Sequence, residues 1–323
     1  MASMRELVEA IRSSPGVSRK NAIEEIVDSF PTEGFGTIAA ARGEDAAAID
    51  VGDGYILLAT DGIMQSLVDA DPYSAGYFAV LVNVTDIAAM GGRPIGMVDV
   101  MSYKDHGVSK EIVRGMKEGV RKFGVPIVGG HTHPDCLYNA VDIAIAGKVP
   151  KAALLRSSTA RPGDDIVFVM DLDGYFPELL PRAFVTTVQK SDELVRAQME
   201  AVAIVAERHL AHSCKDMSNP GDLGTLGMML ETSGAGGTVD VRLIPIPKDV
   251  DPILWHLAYQ GCGFVFACPP EHSEEIIGLF EEVGCEGAVV GSVDDTRVLR
   301  ITDGRDTEIL FDFEKDAITG CRP

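Results

Sequence analysis

The chain predicts an α/β protein of two domains. Three observations carry this. Its 323 residues exceed one ordinary domain. Short apolar strand-like runs alternate with helical stretches in both halves. A polar stretch with Pro and Gly, RSSTARPGDD over 156–165, divides them. The expected domains are 1–150 and 156–323.

Taken in order, RELVEAIRSS and SRKNAIEEIVDSF read as two amphipathic helices, the second capped by Ser18 and stopped by Pro31. AAAID and YILLAT flank V-G-D-G and read as a β-hairpin with Asp53-Gly54 in its turn. Tyr73 to Met90 is apolar and helical in period, closed by Gly91-Gly92. PIGMVDVMSY reads as a strand, and SKEIVRGMKEGVRKFG as a helix capped by Ser109 and stopped by Gly124. VPIVGG reads as a short buried strand and YNAVDIAIAGKV as another. The second half opens on the strand DIVFVMDLDG and continues with the long helix ELVRAQMEAVAIVAERHL. GDLGTLGMMLETSG reads as a helix closing on Gly234, CGFVFACP as a strand and EHSEEIIGLFEEVG as a helix. GAVVGSV, TRVLRIT and TEILFDF are the last strands. At 46% apolar and 24% charged, such a chain buries at least one large core.

The net charge of -21 repels phosphate backbones and anionic lipid, which excludes nucleic acid and membrane surfaces as expected partners. An anionic small substrate would need local help from Mg²⁺, backbone N–H groups or a few lysines and arginines. The six cysteines, at 136, 214, 262, 268, 285 and 321, form no C-x-x-C pair and read as reduced thiols of a cytoplasmic protein. MASMRELVEAIRSS carries charge where a signal peptide would be apolar, and no apolar run approaches the ~18 residues of a membrane span.

Acidic residues stand in unusual places. Glu44-Asp45 precede a strand, Asp61 ends the apolar YILLAT, and Asp86 interrupts an apolar helix. Each also suits a turn or cap. A carboxylate inside an apolar helix, however, costs several kcal/mol if buried unpaired, so Asp86 must meet a cation, a cap or solvent. Together the carboxylates suit Mg²⁺ bridging to phosphates. A second pattern is IVGGHTHPD, where His131-x-His133 with Asp135 has the look of a zinc site. His209 and His212, three apart on an expected helix, are the other paired histidines, and a surface role accounts for them.

RGEDAAAID (42–50), LLATDG (57–62), VNVTDIAAMGGRPIGM (82–97), VPIVGGHT (125–132), GKV (147–149) and KDMSNPGDLGTLGMMLETSGAGGTVDV (215–241) resemble, in this order, the aminoimidazole ribonucleotide synthetase (PurM-like) superfamily. That superfamily includes thiamine-monophosphate kinase, selenophosphate synthetase and a hydrogenase-maturation dehydratase. NVTDIAAMGGRP, GGHTHPD and SNPGDLGTLGM are most similar to the methanogenesis marker protein 2 group of archaea. The resemblance implies a PurM-like two-domain fold whose N-terminal domains pair in a homodimer and form a β-barrel, beside a C-terminal α/β domain. It implies ATP in a cleft near that interface and a cytoplasmic enzyme of small molecules. Carried over by position, it makes Asp45, Asp61 and Asp86 the Mg²⁺ ligands. Glu44, Thr60, Asn83, Gly129, Gly130, Asp216 and Gly221 become further ATP-side residues. Gly34 and Gly36 fall in a segment that covers phosphates in some relatives. His131 stands where many relatives keep a carboxylate, which makes it the candidate for orienting substrate or relaying a proton.

Departures narrow the activity. The first cysteine is Cys136, so the N-terminal cysteine-lysine of selenophosphate synthetases has no counterpart. The strand GCGFVFA lacks the acids of thiamine-monophosphate kinase. ITGCRP places Cys321 two residues short of the terminal cysteine of the dehydratase. Ser218, Asn219, Gly221 and Gly224 open a glycine-rich helix start suited to an anion or to a tight turn, with Lys215 balancing charge. The expectation is ATP- and Mg²⁺-dependent phosphoryl transfer to, or phosphate activation of, a small substrate. The alternatives are a nucleotide-responsive assembly partner and, as a minor one, a zinc-dependent hydrolase on His131 and His133.

Overall fold

The computed structural model describes residues 3–30, 32, 34–40 and 42–323. Its helices are α1 (Met4–Arg12), α2 (Pro15–Ser18), α3 (Ala22–Ser29), α4 (Gln65–Ala70), α5 (Pro72–Ala89), α6 (His106–Phe123), α7 (Asp192–Glu207), α8 (Gly221–Ser233), α9 (Pro252–His256) and α10 (Ser273–Glu281). Strands of the first half are β1 (Ile38–Ala40), β2 (Ala47–Asp50), β3 (Gly54–Gly62), β4 (Arg93–Ser102), β5 (Ile127–His133) and β6 (Ala140–Pro150). Those of the second are β7 (Asp165–Met170), β8 (Ala183–Phe184), β9 (Ser213–Asp216), β10 (Gly236–Asp240), β11 (Tyr259–Gln260), β12 (Gly263–Cys268), β13 (Glu286–Asp294), β14 (Val298–Thr302) and β15 (Thr307–Asp312).

The first half builds one sheet in the order β1-β2-β3-β6-β4-β5. The expected hairpin forms, with Asp50 opposite Tyr55. Its positive-φ residue is Gly52, and Gly54 already belongs to β3. The sheet is open in the single chain, with β1 and β5 as edges, and no closed barrel is present among the described residues. β5 therefore departs from the buried strand expected of VPIVGG: Val128 is 72% exposed. A short apolar run suits a buried strand, but among the described residues nothing covers it.

Only one face of this sheet is covered. Leu57, Met97, Ile143 and Ile145 are buried against α5, whereas Leu58, Val98 and Val100 point the other way and are exposed. α5 is buried nearly all round because it lies between that sheet, α6 and the second half. Its contact with α6 depends on missing side chains: a Cβ on Gly115 would lie 1.9 Å from the Tyr73 carbonyl oxygen, and one on Gly76 2.0 Å from that of Ile112.

The second half builds a seven-stranded sheet, β15-β14-β10-β13-β7-β12-β9, covered on both faces, plus the small pair β11-β8. β7 shows the covering directly. Val167 and Val169 join the core shared with α5 and α7, while Ile166, Phe168 and Met170 join a second core with α1 and α8. The first core is continuous across both halves.

Helix stops agree better with the sequence than helix starts. Gly124 and Gly234 end α6 and α8 in the left-handed conformation. Ser18 ends α2 instead of capping α3, and Pro31 lies outside the described residues. Asp105, not Ser109, caps α6, its carboxylate accepting from the Gly107 N–H. His209 and His212 follow the end of α7, and His212 Nδ1 meets Asp164 at 2.8 Å. Cys136, Cys214, Cys262, Cys268, Cys285 and Cys321 are all free thiols. Among the described residues no helix is long and apolar enough to cross a membrane.

Candidate functional site

Three carboxylates converge where the halves meet. Asp45 comes from the turn before β2, Asp86 from α5 and Asp216 from the end of β9. One oxygen of each lies within 4.8 Å of the others. Asp216 accepts from Thr85 Oγ1 at 3.1 Å, and Lys215 Nζ donates to Asp45 Oδ1. Asp45 Oδ2 is buried with no hydrogen-bond partner. An oxygen-only donor set with an unpartnered carboxylate oxygen fits a hard divalent cation such as Mg²⁺.

The electrostatics agree with that fit. Burial pushes the Asp45 carboxyl up to about 7, opposed by Lys215 and reinforced by Asp216. Burial first, then Asp216 and Asp45, pushes Asp86 well above the usual carboxylate range. Asp216 is raised by burial, against the pull of Lys215. Burial would lower the Lys215 ammonium, but Asp45 and Asp216 outweigh it and the net shift is upward.

Asp61 lies beside this cluster without joining its tightest trio. It is the next-to-last residue of β3, is exposed, and faces Lys20 and Arg19. The tightest trio thus holds Asp216 where the resemblance led us to expect Asp61. Asn83, one helical turn before Asp86, donates to Ala79 O at 2.8 Å and leaves its own buried Oδ1 unpartnered.

Lys20 carries no motif of its own, and its role emerges only in the fold. Gly16 in α2 comes so near Asn219 that a Cβ would lie 2.3 Å from its carbonyl oxygen. That contact lays the N-terminal segment over the turn after Asp216. Lys20 is then lowered by burial and by Lys215, and drawn upward by Asp61, Asp216 and Asp45.

Other expected residues have protein contacts of their own. Glu44, an expected ATP-side residue, has its side chain wholly buried and engaged by protein: Ser157 N at 2.6 Å, Ser157 Oγ at 2.9 Å, Ser158 Oγ at 2.6 Å and Arg156 Nε at 3.2 Å. It fastens the Asp45 turn to the segment joining the halves. Thr60 points to the exposed sheet face and donates to Ile143 O at 3.0 Å. Gly221 has φ +77°, and a Cβ there would meet His256 O at 2.0 Å, so α9 covers the helix start that suited an anion. Next to it, the buried Asp222 carboxylate meets His256 Nδ1 at 2.9 Å. A Cβ on Gly34 or Gly36 would meet nothing within 4 Å.

His131 sits in register with Val100 on β5, on the exposed face opposite α5. Its ring packs edge-on against His133 with centroids 4.6 Å apart. Among the described residues this pair gathers no third metal-ligating side chain, which removes the support for a zinc site. Gly129 and Gly130 precede it on the same strand. A Cβ on Gly130 would lie 2.4 Å from Asp99 Oδ1, so that glycine makes room for a neighbouring carboxylate.

The C-terminal tail braces the site from behind. Buried Glu231 in α8 accepts from the N–H groups of Ile318, Thr319 and Gly320 at 3.0, 2.8 and 3.3 Å. The tail so held sets Cys321 against Gly43, where a Cβ would lie 3.0 Å from that of Cys321. The Cys321 thiol is buried, and that burial raises it above its ordinary range.

Comparison with known proteins agrees with this architecture. Residues 43–155 match the AIR synthase related protein N-terminal domain, and residues 174–304 match the corresponding C-terminal domain. An uncharacterized protein of Methanocaldococcus jannaschii is 47% identical over 99% of this chain and 100% of its own length. An uncharacterized protein of Synechocystis sp. is 31% identical over 98% of each. The selenide, water dikinase of Aeromonas salmonicida is 28% identical over 68% of this chain and 64% of its own. Among solved structures, T. maritima PurL complexed with ATP superposes with a TM-score of 0.76 at 18% identity, covering 99% of this chain and 55% of that one. The chain thus spans about half the PurL polypeptide. AaThiL complexed with AMPPCP and TMP gives 0.67 at 16% identity, covering 96% and 99%. With both domain matches in sequence order and two relatives of full length, the chain belongs to the AIR synthase related, PurM-like family.

Proposed function

We propose that this protein binds ATP with Mg²⁺ at the seam between its halves. It would use the nucleotide to phosphorylate a small substrate, or to activate an amide-type oxygen so that a nucleophile displaces the phosphate. The observation that carries this reading is the trio Asp45, Asp86 and Asp216, drawn from both halves, with a buried carboxylate oxygen left unpartnered. Bound there, Mg²⁺ would neutralise phosphate charge and orient the transferred group. The nucleotide complexes of PurL and AaThiL, and the activity named for the selenide, water dikinase, support the same chemistry.

The chain's own residues supply the rest. Asp45, Asp86 and Asp216 hold the cation, and Asp61 stands next to them. Lys20 and Lys215 offer positive charge to phosphate oxygens in a protein that is otherwise strongly acidic. Phosphoryl transfer asks mainly for positioning and charge neutralisation, so the lack of a cysteine or serine nucleophile in the trio is no obstacle.

A homodimer belongs to this reading. Leu58, Val98, Val100 and Val128 are exposed on one sheet face, which a second copy would cover. His131 lies on that face, so in such an assembly it belongs to the subunit contact and not to its own chain's aspartates. Similarity to the methanogenesis marker protein 2 group points to cofactor assembly in a methanogen as the setting. The full-length relative in Synechocystis sp. supports a reaction not confined to that setting.

Calorimetry with Mg²⁺ and a non-hydrolysable ATP analogue tests the site. Asp86→Asn is expected to weaken Mg²⁺-dependent binding by more than the roughly 10–100-fold that changes beyond the ligand shell cost. Unchanged affinity in that variant, with its fold intact by circular dichroism, would sink the assignment.

A further inference from the structure

Lys215 places a positive charge on one carboxylate of the trio. It is 6% exposed, and its ammonium donates to Asp45 Oδ1 while the other oxygen of that carboxylate stays bare. No lysine or arginine nitrogen lies within 4.0 Å of the carboxylate of Asp86 or Asp216 among the described residues, so this one buried ion pair serves the trio.

Among the described residues, Asp45 is also the only one of the three with an ion pair to break. Its one negative charge is shared between the ammonium at Oδ1 and any cation received at the bare Oδ2, so the two compete for it. Lysine suits an exchange of partners: it is a compact charge on a flexible four-carbon stem, and its backbone here is fixed in β9.

We propose that Lys215 is a tethered stand-in for the divalent cation. In the metal-free chain it holds Asp45 in place. When the cation binds, Asp45 changes partner, and the released ammonium turns to the anionic ligand that follows. The cation and a polyphosphate thereby bind with positive coupling, and Lys215 is the positioning residue that couples them. This rests on the ATP and Mg²⁺ reading above, and it assigns a residue outside the metal ligands a specific part in it.

The test is Mn²⁺ binding, read by electron paramagnetic resonance on the nucleotide-free full chain and again with AMPPCP. Lys215→Met is expected to bind Mn²⁺ alone at least about fivefold more tightly than the parent, the low end of ordinary coupling between two ligands. AMPPCP should then strengthen Mn²⁺ binding less in that variant than in the parent. Lys215→Arg, which keeps the competing charge, should bind Mn²⁺ alone no more tightly than the parent. Lys20→Met removes an equal charge that is not paired with Asp45, and should gain less than Lys215→Met. Equal gains in the two methionine variants would reduce the effect to general repulsion and overturn the proposal. So would an unchanged affinity in Lys215→Met.

Should Lys215→Met fail to fold, amine labelling of the parent decides. Mn²⁺ is expected to speed acetylation of Lys215, and an unchanged or slower rate overturns the exchange. The two readings fail differently. Mn²⁺ bound by the parent but indifferent to Lys215 ends only this proposal, whereas no Mn²⁺ binding even with AMPPCP ends the metal-nucleotide site and this proposal with it.

Discussion

The acids of the site all shift in one direction, and that gives a pH signature. Burial raises Asp45, Asp86 and Asp216 above their ordinary values. From about pH 4 upward the unfolded chain has released protons that the metal-free folded chain still holds. Stability from these groups is therefore greatest at low pH and is lost as pH rises toward Asp45's value of about 7. Melting temperatures from pH 5 to 8 are expected to fall more steeply in the parent than in Asp45→Asn. Mg²⁺ should raise them most at the upper end, where it no longer competes with protons. Parallel curves for parent and variant would contradict the sign worked out here. The residue scale also shows what the sequence disclosed. Asp45 and Asp86 stood out because acids beside apolar strands and helices need a reason. Lys215 and Lys20 could not be placed, because the partner of the first lies 170 residues away and the second reaches the site only through the Gly16–Asn219 contact. His131 was legible as a strand end but not as to which face it occupies, since that depends on register with β4.

At the scale of elements, the α5–α6 crossing depends on glycines at its closest points. Gly115→Ala is expected to destabilise the protein by about 1–3 kcal/mol, the usual cost of overpacking, because the new methyl would meet the backbone oxygen of Tyr73 and not a flexible side chain. Gly278→Ala in α10 is the matched contrast. A Cβ there would meet nothing within 4 Å, so relief of backbone entropy should stabilise by roughly 0.5–1 kcal/mol. Urea midpoints of the two variants check the opposite signs. α5 carries both this crossing and Asp86, so overpacking should also reach the site. The order of elements was largely legible because periodicity and glycine stops are local signals. Helix starts were less so: Asp105 and Ser109 are both acceptable cap residues, and only backbone geometry chooses between them. β10, in GGTVD, was not anticipated, since two glycines weaken a strand pattern and its neighbours β13 and β14 lie far along the chain.

For the molecule as a whole, the uncovered sheet face sets an expectation about assembly. Val100 is 44% exposed in the single chain, where a charge would cost little. Against a second copy the same charge would be buried and unpaired. Val100→Glu is therefore expected to convert a dimer into a folded monomer in light scattering. A mass unaffected by the substitution would remove the dimer from the proposal. Two domains were legible from the linker, yet the core does not divide there: Val167, Val169 and Phe264 of the second half pack in one cluster with Leu57, Ile87 and Ile143 of the first. A continuous core between distant segments leaves no local mark in a sequence.

The tail held by Glu231 has a consequence for how the site can be reached from outside. Ile318 to Cys321 touch no proposed ligand, but they back the turn that carries Asp45. A peptide or antibody fragment that peeled this strap from α8 would loosen the turn behind the aspartate trio without touching the trio itself. This strap, remote in sequence from Asp45, is thus a handle on the site that chemistry aimed at the nucleotide would never find.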